Sequence, residues 1–167
     1  MSKSIDNLKA AFAGESQANR KYLAFAKKAE AEGLPQIARL FRAAAAAESV
    51  HAINHLKAME GVLSTAENLA AAIGGEEYEV VSMYPPMLAT AAEEGDKKAE
   101  RSFRLALEVE KVHEDLYRKA AVALATGKDA PETEYYVCPI CGYTHEGPLN
   151  GKCPVCNNPA DKFEKVA

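Results

Sequence analysis

Glu48-Ser-Val-His51 and Glu110-Lys-Val-His113 decide how this chain is read. Each places a carboxylate and an imidazole three residues apart, a spacing that on a helix stacks both side chains on one face. A single pair of this kind on an exposed helix is ordinarily just solvated. Here there are two, and each follows a Gly-Glu about 34 residues upstream, Gly14-Glu15 and Gly75-Glu76. Both pairs also fall on apolar stripes, with Phe41 and Ala44 before the first and Phe103 and Leu107 before the second. Carboxylates and imidazoles together suit iron or manganese, and two metals can share bridging glutamates. Without cations, each buried carboxylate would cost several kcal/mol or be forced neutral. Glu15, Glu48, His51, Glu76, Glu110 and His113 are therefore read as metal ligands, with Glu79 a further carboxylate at the same level. His55, one turn after His51, is read as supporting or surface.

Working outward, four helices carry these residues. The first is predicted from about Ser4 to Glu32, stopped by Gly33, and Pro35 is suited to open the next. The second runs from Pro35 to about Met59 and ends at Gly61. Ser64 or Thr65 caps the third, with Glu67 able to complete a capping box from Ser64. That helix continues to about Glu94, kinked near Pro85-Pro86, and the fourth spans about Asp96 to Thr126 before Gly127. Two hairpins of this kind make a four-helix bundle with the marked residues at one level of its core.

The two hairpins are an internal repeat. Phe41-Arg42 and Phe103-Arg104 each begin seven residues before the glutamate of a Glu-x-x-His pair. Gly33 and Gly95 each precede that glutamate by 15 residues, and Tyr22 and Tyr84 precede those glycines by 11. The register breaks once: Glu15 to Tyr22 is seven residues, Glu76 to Tyr84 is eight. A π-bulge in the third helix is the expected accommodation. Tyr22 and Tyr84 read equally as core aromatics or as phenol donors to a ligand or bound oxygen species.

All four cysteines fall in the tail, as Cys138-Pro-Ile-Cys141 and Cys153-Pro-Val-Cys156. Two such knuckles form a tetrahedral four-sulfur metal site, and their spacing alone suits zinc as well as iron. A segment this short needs such a staple, because it cannot build a sufficient apolar core. The expected organisation is a bundle over residues 1–126, a linker over 127–133 and a metal-knuckle domain over 134–167. A net charge of −4 gives a nucleic-acid role no electrostatic support. No apolar run is long enough to span a bilayer, and Met1-Ser-Lys-Ser-Ile-Asp does not resemble a signal peptide. A cytoplasmic protein is expected, where Cys-x-x-Cys pairs read as metal sites rather than disulfides.

Phe12-Ala-Gly-Glu-Ser-Gln-Ala, the two Glu-x-x-His pairs, Gly75-Glu-Glu-Tyr-Glu79 with Met83-Tyr-Pro, and the cysteine knuckles together resemble the rubrerythrin family over nearly the whole chain. The resemblance implies an all-α, ferritin-like four-helix bundle with a small C-terminal rubredoxin-like domain. It implies two iron ions on Glu15, Glu48, His51, Glu76, Glu79, Glu110 and His113, and one iron on Cys138, Cys141, Cys153 and Cys156. The Cys-Pro-x-Cys-Gly-Tyr pattern turns the tail site from zinc toward iron by that same likeness. In the family, one iron moves between the extra glutamate, here Glu79, and a histidine, here His51, as the redox state changes. Tyr22 and Tyr84 match family tyrosines near the site. The implied function is reduction of hydrogen peroxide to water, a role in oxidative stress. Electrons would come from a rubredoxin or flavin-dependent reductase through the tail of a homodimer. Iron handling as a ferroxidase is the alternative. One departure stands out: the connector at about residues 61–66 is short, so the hairpins are expected to be exchanged between two chains if it cannot cross the bundle.

Overall fold

The computed structural model describes residues 2–166. They form two compact units, one ending at Leu63 and the other beginning at Ser64.

The first unit is a helical hairpin, α1 (Lys3–Ala31) and α2 (Pro35–Ala58). Ser2 caps α1 by accepting from the Ile5 amide. Gly33, at φ 74°, takes the left-handed conformation that ends α1, and Pro35 occupies the first turn of α2. The seam is built from alanine: Ala26, Ala29, Ala38, Ala45 and Ala52 are buried, so the backbones approach closely. One polar side chain is buried with them. Asn19 donates from Nδ2 to the Ala45 carbonyl at 2.7 Å and to the Ser49 hydroxyl at 2.8 Å, tying α1 to α2.

The second unit begins with the capping box that the sequence predicts. Ser64 accepts from the Glu67 amide, and the Glu67 carboxylate accepts from the Ser64 amide. Helix α3 (Thr65–Tyr78) passes into a π-helical segment (Glu79–Met83) and resumes as α4 (Tyr84–Glu93). The Tyr84 amide donates to the Glu79 carbonyl, the i→i−5 bond of a π turn. The extra residue between Glu76 and Tyr84 is thus absorbed where expected. Pro85 and Pro86 lack amide hydrogens and sit in the first turn of α4, directly after the π segment. Gly95 turns the chain at φ 69°, and Asp96 caps α5 (Lys97–Ala125) through the Lys98 and Ala99 amides.

The tail carries three short strands, β1 (Tyr135–Val137), β2 (Thr144–Glu146) and β3 (Glu164–Lys165), in antiparallel order β2-β1-β3. The knuckles repeat one geometry. The Gly142 amide donates to the Cys138 carbonyl and the Asn157 amide to the Cys153 carbonyl, both at 2.9 Å. Gly142 and Asn157, each following the second cysteine of its pair, both take positive φ. The tail packs on α5: a Cβ added at Gly142, in the knuckle before β2, would lie 3.9 Å from Val109 Cγ1, and Val109 is buried. Among the described residues, no helix is long and apolar enough to cross a membrane.

Candidate metal centres

Among the described residues, three clusters bring candidate ligand atoms within 4.8 Å of one another: Glu15, Glu48 and His51; Glu76, Glu110 and His113; and the four cysteines. The first lies across α1 and α2. His51 Nδ1 is 2.9 Å from Glu48 Oε2 and 3.9 Å from Glu15 Oε1. The second repeats the pattern across α3 and α5, with His113 Nδ1 2.7 Å from Glu110 Oε2. In both, the three-residue helical spacing turns Nδ1 toward the glutamate of its own helix.

The clusters differ in surroundings. The His51 side chain is 53% exposed, that of His113 27%. His113 is also held from the far side, its Nε2 lying 2.8 Å from the Thr144 hydroxyl on β2. Burial raises Glu76 to about 7, reinforced by the negative charge of Glu110 and opposed by His113. Burial and Glu110 likewise raise Glu79, at the start of the π segment. Tyr84 is raised by burial and by Glu79, Glu110 and Glu76, so its phenol lies in the same electrostatic neighbourhood. Glu79 stands outside the tight cluster of three. Carboxyls pushed toward neutrality in a metal-free cluster are what a cation would relieve.

Tyr22 packs against Phe41, ring centroids 6.2 Å apart, and Tyr84 against Phe103 at 6.4 Å. The sequence repeat is therefore also a repeat in contacts. Asn19 and Ser49 sit beside the first cluster, Asn19 one turn after Glu15 and Ser49 next to Glu48. His55 is half-buried on α2 and belongs to no cluster.

In the tail, the Cys138 and Cys156 sulfurs are 3.5 Å apart, as are those of Cys141 and Cys153. A tetrahedron of ~2.3 Å metal–sulfur bonds has edges of about 3.8 Å, so this cage fits one ion. The four are free thiols, with Cys138 and Cys153 buried. Burial works against the Cys138 thiolate, yet the Ile140 and Cys141 amides outweigh it and bring the thiol down to about 7. Burial pushes Cys141 and Cys156 upward. A knuckle whose amides already support one thiolate is arranged for a cation.

The rubrerythrin family model matches residues 6–121, and the model for the rubrerythrin rubredoxin-like domain matches 136–164. The chain belongs to the rubrerythrin family. It is 37% identical over 173 residues to Rubrerythrin-2 of Clostridium acetobutylicum, covering 95% of this chain and 94% of that one. It is 41% identical over 174 residues to nigerythrin of Nitratidesulfovibrio vulgaris, covering 95% and 84%. A solved structure of nigerythrin in a mixed-valent state aligns with TM-score 0.58 and 39% identity, over 99% of this chain and 88% of that one. The fully reduced, all-ferrous nigerythrin aligns with TM-score 0.59. The fold is accordingly ferritin-like with a rubredoxin-like tail. The carboxylate–imidazole clusters and the four-cysteine cage fit the family's iron cofactors, a di-iron site and a tetrathiolate iron.

Proposed function

We propose that this chain is a cytoplasmic non-haem di-iron peroxidase that reduces hydrogen peroxide to water. Glu15, Glu48, His51, Glu76, Glu79, Glu110 and His113 hold two iron ions, and Cys138, Cys141, Cys153 and Cys156 hold a third. Iron held there would supply the two electrons needed to reduce the O–O bond, replenished through the tail. The balance also needs two protons for two waters. Tyr22 and Tyr84 serve as phenol donors to oxygen species, and Glu79 beside Tyr84 is a carboxyl able to hold a proton. Electrons enter the tail from a rubredoxin or a flavin-dependent reductase.

The observation that carries this reading is the seat of the tail. Gly142, directly after Cys141, lies against Val109, directly before Glu110. The contact supports the reading, because a one-electron carrier in the tail would sit against the helix that carries Glu110 and His113. Ferroxidase storage has no use for such an input. The test is to purify the protein without oxygen, assay iron and zinc, and mix the reduced form separately with peroxide and with oxygen. Fast oxidation by peroxide, slow oxidation by oxygen and a returning ferric-thiolate band are expected. Zinc on the cysteines with no peroxide reaction would overturn the proposal.

The working form proposed is a homodimer with exchanged hairpins. Residues 59–64 alone join α2 to α3. Six extended residues reach about 20 Å, whereas the 24-residue α2 is about 36 Å long. A connector that had to return along a bundle would fall short. Exposed apolar side chains, including Leu40, Val81 and Val122, are consistent with a partner chain. Each di-iron site then takes Glu15, Glu48 and His51 from one chain and Glu76, Glu79, Glu110 and His113 from the other.

A further inference from the structure

His113 is held from two directions. Its Nδ1 lies 2.7 Å from Glu110 Oε2, on the side of the carboxylates. Its Nε2 lies 2.8 Å from Thr144 Oγ1, on the tail. The Thr144 hydroxyl also reaches back toward the Gly142 carbonyl, 3.4 Å away. Gly142 follows Cys141, so a run of polar contacts leads from a bundle imidazole to within one residue of a tail thiol.

A neutral imidazole has one donor and one acceptor nitrogen, and a hydroxyl can serve either role. The Thr144 hydroxyl donates to the Gly142 carbonyl, which leaves its oxygen able to accept from Nε2–H. A cation between the carboxylates and Nδ1 needs the Nδ1 lone pair, so the ring proton must reside on Nε2. Thr144 then accepts from Nε2–H while its own hydroxyl hydrogen stays on the Gly142 carbonyl.

We propose that Thr144 is a positioning residue for His113: its hydroxyl, anchored on the Gly142 carbonyl, accepts from Nε2–H and so fixes the imidazole with Nδ1 toward the metal. The tail is thereby tied to a ligand carried by its own chain. A metal-bound histidine generally needs such a partner on its other nitrogen to set tautomer and ring orientation. Thr144 supplies it from outside the bundle. The proposal rests on His113 being a metal ligand, as proposed above.

The test uses the full-length protein with zinc already on its four cysteines, histidine labelled with nitrogen-15, and titrated with further zinc. In the wild type, the His113 Nδ1 resonance is expected to shift on zinc binding, with the ring proton on Nε2. Its Nε2–H should exchange slowly with water, although the bond lines a hollow of about 300 Å³ shared with Tyr117 and Tyr135. Thr144→Val keeps the side-chain shape. It should speed that exchange and weaken zinc binding about tenfold, with the β1–β2 amide signals unchanged. Thr144→Ser should restore both. Valine indistinguishable from wild type, or serine no better than valine, overturns the role of Thr144 alone. Absence of any zinc-linked change on His113 in the wild type overturns the ligand reading as well.

Discussion

The α1–α2 hairpin and the α3–α5 unit carry the same three ligand types at matching sequence positions, yet they are built differently. The first cluster is steadied from within its hairpin, by Asn19 bridging to Ala45 and Ser49. The second is steadied from outside, by the tail on His113. The first sits in uninterrupted α-helix. The second sits beside a π segment that begins at Glu79, where the first half has Ala18. The repeat thus gives two halves with the same candidate ligands, and one additional residue makes them unequal. The added carboxylate and the raised phenol of Tyr84 both belong to the unequal half.

The comparison breaks most visibly if the halves of one site come from different chains. Glu48→Ala and Glu110→Ala should each abolish peroxide turnover alone. Co-expressed, exchanged dimers would place both defects in one site and leave the other intact, so about a quarter of wild-type activity should return. No recovery would mean that each site closes within a single chain. Next in size is the internal tie of the first half. Asn19→Ala strips a buried amide from its partners and should cost about 1–3 kcal/mol, read as a lower melting temperature of the metal-free protein. An unchanged melting temperature would place the hairpin's order in its alanine seam instead.

The smallest effect concerns Glu76. Its carboxyl is raised by burial from 4.5 to about 7 in the folded metal-free protein. Between those values the folded state holds a proton that the unfolded state has lost, so metal-free stability should fall as pH rises through that window. Glu76→Gln should flatten the slope, as followed by thermal melting across pH. A slope unaltered by the substitution would show that another group governs it.

Much of this architecture was legible beforehand for local reasons. Gly33, Pro35, Ser64 with Glu67, and Gly95 set the helix boundaries within a residue or two, because caps act on their own turn. The π segment followed from a one-residue mismatch between repeats, since a helix has few other ways to absorb an extra residue. The clusters followed from helical spacing. Two features were hidden. Asn19 has no motif to mark it, and its bonds to Ala45 and Ser49 depend on how closely two alanine faces approach. Thr144 stands 31 positions from His113 on a strand with no motif of its own, and only the docking of the tail brings them together.

The central claim is that peroxide chemistry belongs to the half marked by Glu79. Its most direct test is the rate at which hydrogen peroxide oxidises the fully reduced, iron-loaded protein, compared between wild type and Glu79→Ala in a stopped-flow spectrometer. The account predicts a slowing of about a hundredfold, with helix content and iron loading retained. Equal rates would contradict it and return the chemistry to the features the two halves share.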